Sequence, residues 1–112
     1  MYSEYSFPNK YGISKITLTK KIHCYCRLGG DWYTNQLEIS FKPGAEIPDY
    51  VYLDKAIEER CEKQDLIIEE VINNISNIIL EQCPSATDLH ITSYVDDSVP
   101  KNMFVKVEKY EL

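Results

Sequence analysis

The chain has no apolar run long enough to cross a bilayer as a helix. Its first residues, Met1 to Lys10, hold no basic start followed by an apolar core, so no signal peptide is expected and the cytoplasm is the expected compartment. Histidine is scarce: His23 and His90 are the only two, and they lack the paired spacing of zinc motifs, which argues against a metal site. Positive charge is short as well. Twelve Lys and Arg stand against 18 Asp and Glu, giving a net charge of −6. An acidic surface gains nothing from a phosphate backbone, so nucleic acid is an unfavoured partner. Lys10, Lys15, Lys20 and Lys21 lie close in sequence, but strand alternation scatters them over two faces and they read as solvated. There is no internal repeat, low-complexity tract or linker.

What is present describes a small folded domain. Hydrophobic residues make up 44% and charged residues 27% of 112 positions, which is ordinary for a globular protein and unlike a disordered one. The length fits one domain over 1–112, with residues 1–12 read as a poorly ordered arm. A domain this size buries only about two-thirds of its unfolded surface, so a homo-oligomer is expected. The four cysteines, Cys24, Cys26, Cys61 and Cys83, read as reduced thiols, and the first two point to one side of a strand.

The strongest periodic signal runs from Asp65, a candidate cap, to Cys83 before Pro84. Ile67, Ile68, Val71, Ile72, Ile75, Ile78, Ile79 and Cys83 share one broad helical face, and Glu69 falls on its margin. A face that wide needs a sheet to cover. From Ser14 to Cys26 the even positions are the apolar set; after Gly29-Gly30 the odd positions Tyr33, Leu37, Ile39 and Phe41 take over, which signals a hairpin. A tight turn pairs Cys24 with Asn35 and a wider loop pairs it with Asp31; both keep the apolar face intact. Pro43 to Pro48 breaks the sheet, and Asp49 can cap a helix in which Leu53, Ile57 and Cys61 recur, with Glu58, Glu59, Arg60, Glu62 and Lys63 on its wet face. Two further strands, Leu89 to Val95 and Met103 to Tyr110, flank a loop over Asp96 to Asn102. Strand, strand, helix, helix, strand, strand predicts an α+β fold: a mostly antiparallel sheet with helices on one face and the other face polar or covered by another subunit.

This order of elements resembles the tunnelling fold, in which small subunits join their sheets into an oligomeric barrel and bind a purine or pterin at each interface. The resemblance implies that a carboxylate from the long helix anchors the base, and Ile67-Ile68-Glu69 is the matching start. A carboxylate accepts two hydrogen bonds at once from a ring N–H and an exocyclic amino group. Within the fold the chain is most similar to 7-cyano-7-deazaguanine reductases of queuosine biosynthesis and their short relatives. There a cysteine attacks the nitrile and an aspartate seven positions later handles the proton. Cys24 and Asp31 have that spacing, and Trp32 to Pro43 looks like the family's second strand. The implied chemistry is a thioimide formed by Cys24 and protonated through Asp31. Each residue also has a plain structural role, Cys24 within an apolar row and Asp31 in a hairpin turn.

The chain departs from the reductases where they bind NADPH. Of that run only Leu53 and Lys55 survive, a histidine before the anchoring glutamate is Ile68, and the last hairpin reads Asp97-Ser98-Val99-Pro100-Lys101 in place of an arginine and paired glycines. The cofactor is therefore unknown, with Lys55 the one remaining candidate contact and NADPH use doubtful. Short archaeal relatives lacking that run are amidinotransferases acting on transfer RNA, a substrate that the acidic charge disfavours. Two alternatives stand beside a cysteine enzyme: a pterin lyase resembling dihydroneopterin aldolase, which needs no Cys24, and a non-catalytic member of the fold.

Overall fold

A computed structural model describes residues 6–111. Four strands form an antiparallel sheet in the order β2 (Ile16–Cys26), β3 (Asp31–Lys42), β5 (Thr87–Val95), β6 (Val105–Glu111). The helices α1 (Tyr50–Cys61) and α2 (Ile68–Gln82) fall between β3 and β5, so the crossover lays the two hairpins side by side with β3 against β5. A second, two-stranded sheet pairs β1 (Ser6–Pro8) with β4 (Glu46–Pro48). These two strands depart from the expected order. The segment 43–48 does leave the main sheet, and its residues 46–48 pair with residues 6–8, inside the stretch expected to form a poorly ordered arm. Residues 1–5 of that arm lie outside the described residues.

Alternation decides which side of the sheet is covered. Ile16, Ile22 and Cys24 of β2, Tyr33, Asn35, Leu37, Ile39 and Phe41 of β3, and Leu89, Ile91, Ser93 and Val95 of β5 are buried. All of these except the polar Asn35 and Ser93 meet Leu53, Ala56, Ile57 and Cys61 of α1 and Val71, Ile72, Ile75, Ile78 and Ile79 of α2 in one hydrophobic cluster. The opposite face is polar and carries exposed rings, Trp32, Tyr94 and Tyr110. Lys20 corrects the expectation of a solvated lysine cluster. It points to the helix side, where its Nζ lies 2.7 Å from both Asp54 and Glu58 of α1. Burial pulls its pKa down, but the two carboxylates outweigh that and leave it raised.

Both helix starts follow from local chemistry. Asp49 accepts hydrogen bonds from the amides of Val51 and Tyr52, as expected of a cap. The second helix begins two residues later than a cap at Asp65 would place it, because residues 63–66 are drawn to the edge of β2. The amide of Lys63 donates to the His23 carbonyl, that of Tyr25 to the Gln64 carbonyl, and that of Leu66 to the Tyr25 carbonyl. Asp65 therefore pairs with Tyr25 and does not cap α2. Glu70 supplies the capping instead, its Oε1 accepting from the Ile67 amide at 3.1 Å. No helix among the described residues is long and apolar enough to cross a membrane.

Candidate functional site

The β2–β3 hairpin takes a register between the two that the sequence allows. The amide of Gly30, itself at φ +68, donates to the Cys26 carbonyl at 2.7 Å and closes a four-residue loop. Cys26 then faces Asp31, and Cys24 faces Tyr33. Cys24 and Asp31 are thus on the same side of the sheet but are not cross-strand partners, in contrast to the pairing that a wider loop provides.

Cys24 lies wholly inside. Its side chain is fully buried, its thiol donates to the Cys61 carbonyl at 3.2 Å, and Asn35 Nδ2 approaches its sulfur at 3.7 Å. Asn35, also fully buried, accepts at Oδ1 from Ser93 Oγ at 2.8 Å. This polar row crosses β2, β3 and β5 beneath the helices. Burial, together with nearby Cys61 and Glu62, pushes the Cys24 thiol up to about 12, only partly opposed by Tyr33. A nucleophilic thiol works best with a lowered pKa, and the fold shifts Cys24 the other way. Burial likewise raises Cys61 and Cys83 to about 11.

Cys26 is the one cysteine that is not buried among the four free thiols. It lines a pocket of about 170 Å³ together with Gly29, Asp31, Tyr33, Ile68, Val95, Ser98 and Val99. Three segments build it: the hairpin turn, the start of α2, and the loop after β5. Arg27 joins the first two, with Nη2 2.8 Å from Glu70 and Nη1 3.6 Å from Asp65. The third is held to β3 by side chains. Asp97 accepts from the Thr34 amide at 2.9 Å and from Thr34 Oγ1 at 2.8 Å, while Ser98 Oγ reaches Asp31 Oδ2 at 3.2 Å and the Trp32 carbonyl. Sequence reading placed this loop between two strands but gave no sign that it bends back over the hairpin.

Within the pocket the polar groups are few and aimed. The Gly29 amide donates to Cys26 Sγ at 3.4 Å. Asp31 Oδ1 accepts from the Trp32 amide at 2.8 Å. Tyr33 donates its hydroxyl to the Leu66 carbonyl, and burial raises its pKa, with the charge of Glu69 contributing in the same direction. Glu69 follows the lining residue Ile68, is exposed, and makes no hydrogen bond or ion pair among the described residues. The structure therefore brings Asp31 and Glu69 to one region with Cys26, a residue that sequence spacing passed over in favour of its neighbour. The signal available in the sequence is that Cys26 shares the parity of Cys24 and sits nearer the turn. Lys55 is exposed on α1 and is not among the pocket residues.

A second cluster lies on the bare face at the far end of the sheet. His90 Nε2 is 2.9 Å from Glu108 Oε1 and 3.1 Å from Thr92 Oγ1, and its ring stacks on Tyr110 with centroids 3.9 Å apart. Among the described residues no group of three or more His, Cys, Asp and Glu is placed to hold a metal ion. No protein-family model matches the chain and no curated protein matches it.

Proposed function

We propose that the chain is a tunnelling-fold subunit that binds a purine-like or pterin-like base in the pocket between the hairpin turn and the start of α2, with Glu69 as the anchor. The observation that carries this reading is the exposed Glu69 carboxylate, which follows the lining residue Ile68 and whose charge acts on Tyr33, the planar wall of a pocket with apolar sides at Ile68, Val95 and Val99. A base offering a ring N–H and an amino group satisfies both oxygens of such a carboxylate. At about 170 Å³ the pocket is smaller than the roughly 300–1,000 Å³ usual for ligand sites, which fits a site completed by a second copy of the chain. Calorimetric titration with guanine, pterin and 7-cyano-7-deazaguanine tests it. Glu69→Gln should weaken the best of these by about 1.5–3 kcal/mol, the range for a hydrogen bond to a charged group, and leave the melting temperature unchanged. Equal affinity for wild type and variant refutes the anchor.

The burial of Cys24 favours a second reading, binding without nitrile chemistry at that thiol. A sulfur that is fully buried and protonated far above neutral pH has no path to a ligand in this pocket. A nitrile adduct that Cys24→Ala abolishes, seen by intact mass after incubation with 7-cyano-7-deazaguanine, would overturn this reading.

A further inference from the structure

We propose that the far end of the bare sheet face holds a separate ligand site, which takes a small flat ring bearing one carboxylate. The site is a pocket of about 330 Å³ where the end of β3, the start of β5 and the end of β6 meet. That volume falls within the roughly 300–1,000 Å³ usual for small-molecule sites. It lies at the other end of the strands from the hairpin pocket and shares no lining residue with it, so it stands whether or not a base binds there.

A β-bulge shapes this end of the sheet. Between the Ser40–His90 and Lys42–Thr87 pairs, β3 has one residue, Phe41, and β5 has two, Asp88 and Leu89. Asp88 absorbs the extra position at φ +50, a left-handed backbone that residues other than glycine seldom adopt. Next to the bulge, Ser40, His90 and Tyr110 are neighbours in one row across β3, β5 and β6. Nε2 of His90 is engaged by Glu108 and Thr92, and the His90 ring stacks on Tyr110, so a flat wall is fixed before any ligand arrives. Tyr110 is 68% exposed, which leaves ring surface for a further flat partner. Ser40 is the telling residue. It is only 9% exposed and lines the pocket, yet its hydroxyl makes no hydrogen bond among the described residues. Buried hydroxyls are paired as a rule, and an acceptor entering this pocket supplies the pair.

The charges around the pocket narrow the acceptor to a monoanion. Asp88 neutralises Lys42 at 2.9 Å, Glu111 accepts from Ser76 at 2.8 Å and lies 3.7 Å from Lys109, and Glu108 serves His90. Lys15 lines the pocket and has no ion pair among the described residues. One uncompensated ammonium and one unpaired hydroxyl match one carboxylate. A phosphate dianion brings a second charge that nothing answers, beside Asp88 and Glu111.

Benzoate is the probe, titrated into the isotope-labelled full-length protein at neutral pH and followed by amide chemical shifts. Benzamidine serves as the cation of the same shape and inorganic phosphate as the anion without a ring. Benzoate, being small, should bind at about the millimolar level. It should move the amides of Phe41, Leu89, His90 and Tyr110 and leave those of Cys26 and Val95 in place. Lys15→Ala and Ser40→Ala should each weaken it by about three- to tenfold. Lys15 is exposed, so its variant keeps the fold and the melting temperature. Shifts confined to the hairpin pocket, benzamidine or phosphate binding as tightly as benzoate, or wild-type affinity in Lys15→Ala overturns the site.

Discussion

Two cysteines, two residues apart on one strand face, end in opposite environments: Cys24 packs against the Cys61 carbonyl at the end of α1, while Cys26 opens onto the pocket beside the start of α2. That difference has a measurable consequence for stability. Cys24, Cys61 and Cys83 carry thiols raised to about 12, 11 and 11 in the folded chain, against an ordinary 9.0. A raised folded pKa means that the contribution is fully present below pH 9, where both states are protonated, and is lost as pH climbs toward 11–12 and only the unfolded thiols ionise. Each thiol withdraws about 1.4 kcal/mol per pH unit in that window. The urea midpoint should fall steeply above pH 9, and Cys24→Ala should flatten the fall; a midpoint that is level from pH 8 to pH 10.5 contradicts the burial of these groups. The sequence showed that Cys24 and Cys26 share a face. It held no information on where the helical cover stops, because that depends on contacts between residues 24 and 61 that lie far apart in the chain.

At the level of elements, hydrophobic period and cap chemistry made most of the fold legible. Both helices, the four long strands and the Asp49 cap follow from alternation, from apolar residues at helical spacing and from a side-chain acceptor placed before free amides. Asp49→Ala should lower stability by about 0.5–2 kcal/mol in denaturant titration, with the sheet retained by circular dichroism. No loss would mean that water serves the Val51 and Tyr52 amides equally well. The misjudged boundaries share one cause. The start of α2, the hairpin register and the β1–β4 pair all depend on backbone hydrogen bonds between distant segments, which side-chain periodicity does not encode. Asp65 looked like a cap by its type and position. In the fold it belongs to a connection that adds itself to the edge of β2.

For the molecule as a whole, the sheet has two unequal rims. The connection between the helices occupies the rim of β2 from His23 to Tyr25, leaving residues 16–21 open, while β6 has no strand on its outer side among the described residues. Open rims in a chain of 13.1 kDa favour pairing with other copies. The protein should therefore scatter light as an oligomer at micromolar concentration, and glutamate or proline placed on the outward side of β6 should shift it toward 13.1 kDa. A monomer in wild type would remove the interface on which the base-binding reading relies. Unequal rims also favour head-to-tail joining, which closes into a ring only where the rotation between copies closes, over self-complementary pairing.

The clamp of Asp97 on Thr34 turns one amide into a clock. Pairing of β3 with β5 begins at Gln36 and Tyr94, so the Thr34 N–H is held by a carboxylate from the loop and not by a strand. It trades its proton for deuterium only when the loop lifts. Its exchange rate therefore counts the openings of the pocket wall, and a ligand that closes the wall should slow that single amide while the Ile39 amide, deep in the sheet, keeps the pace of global unfolding.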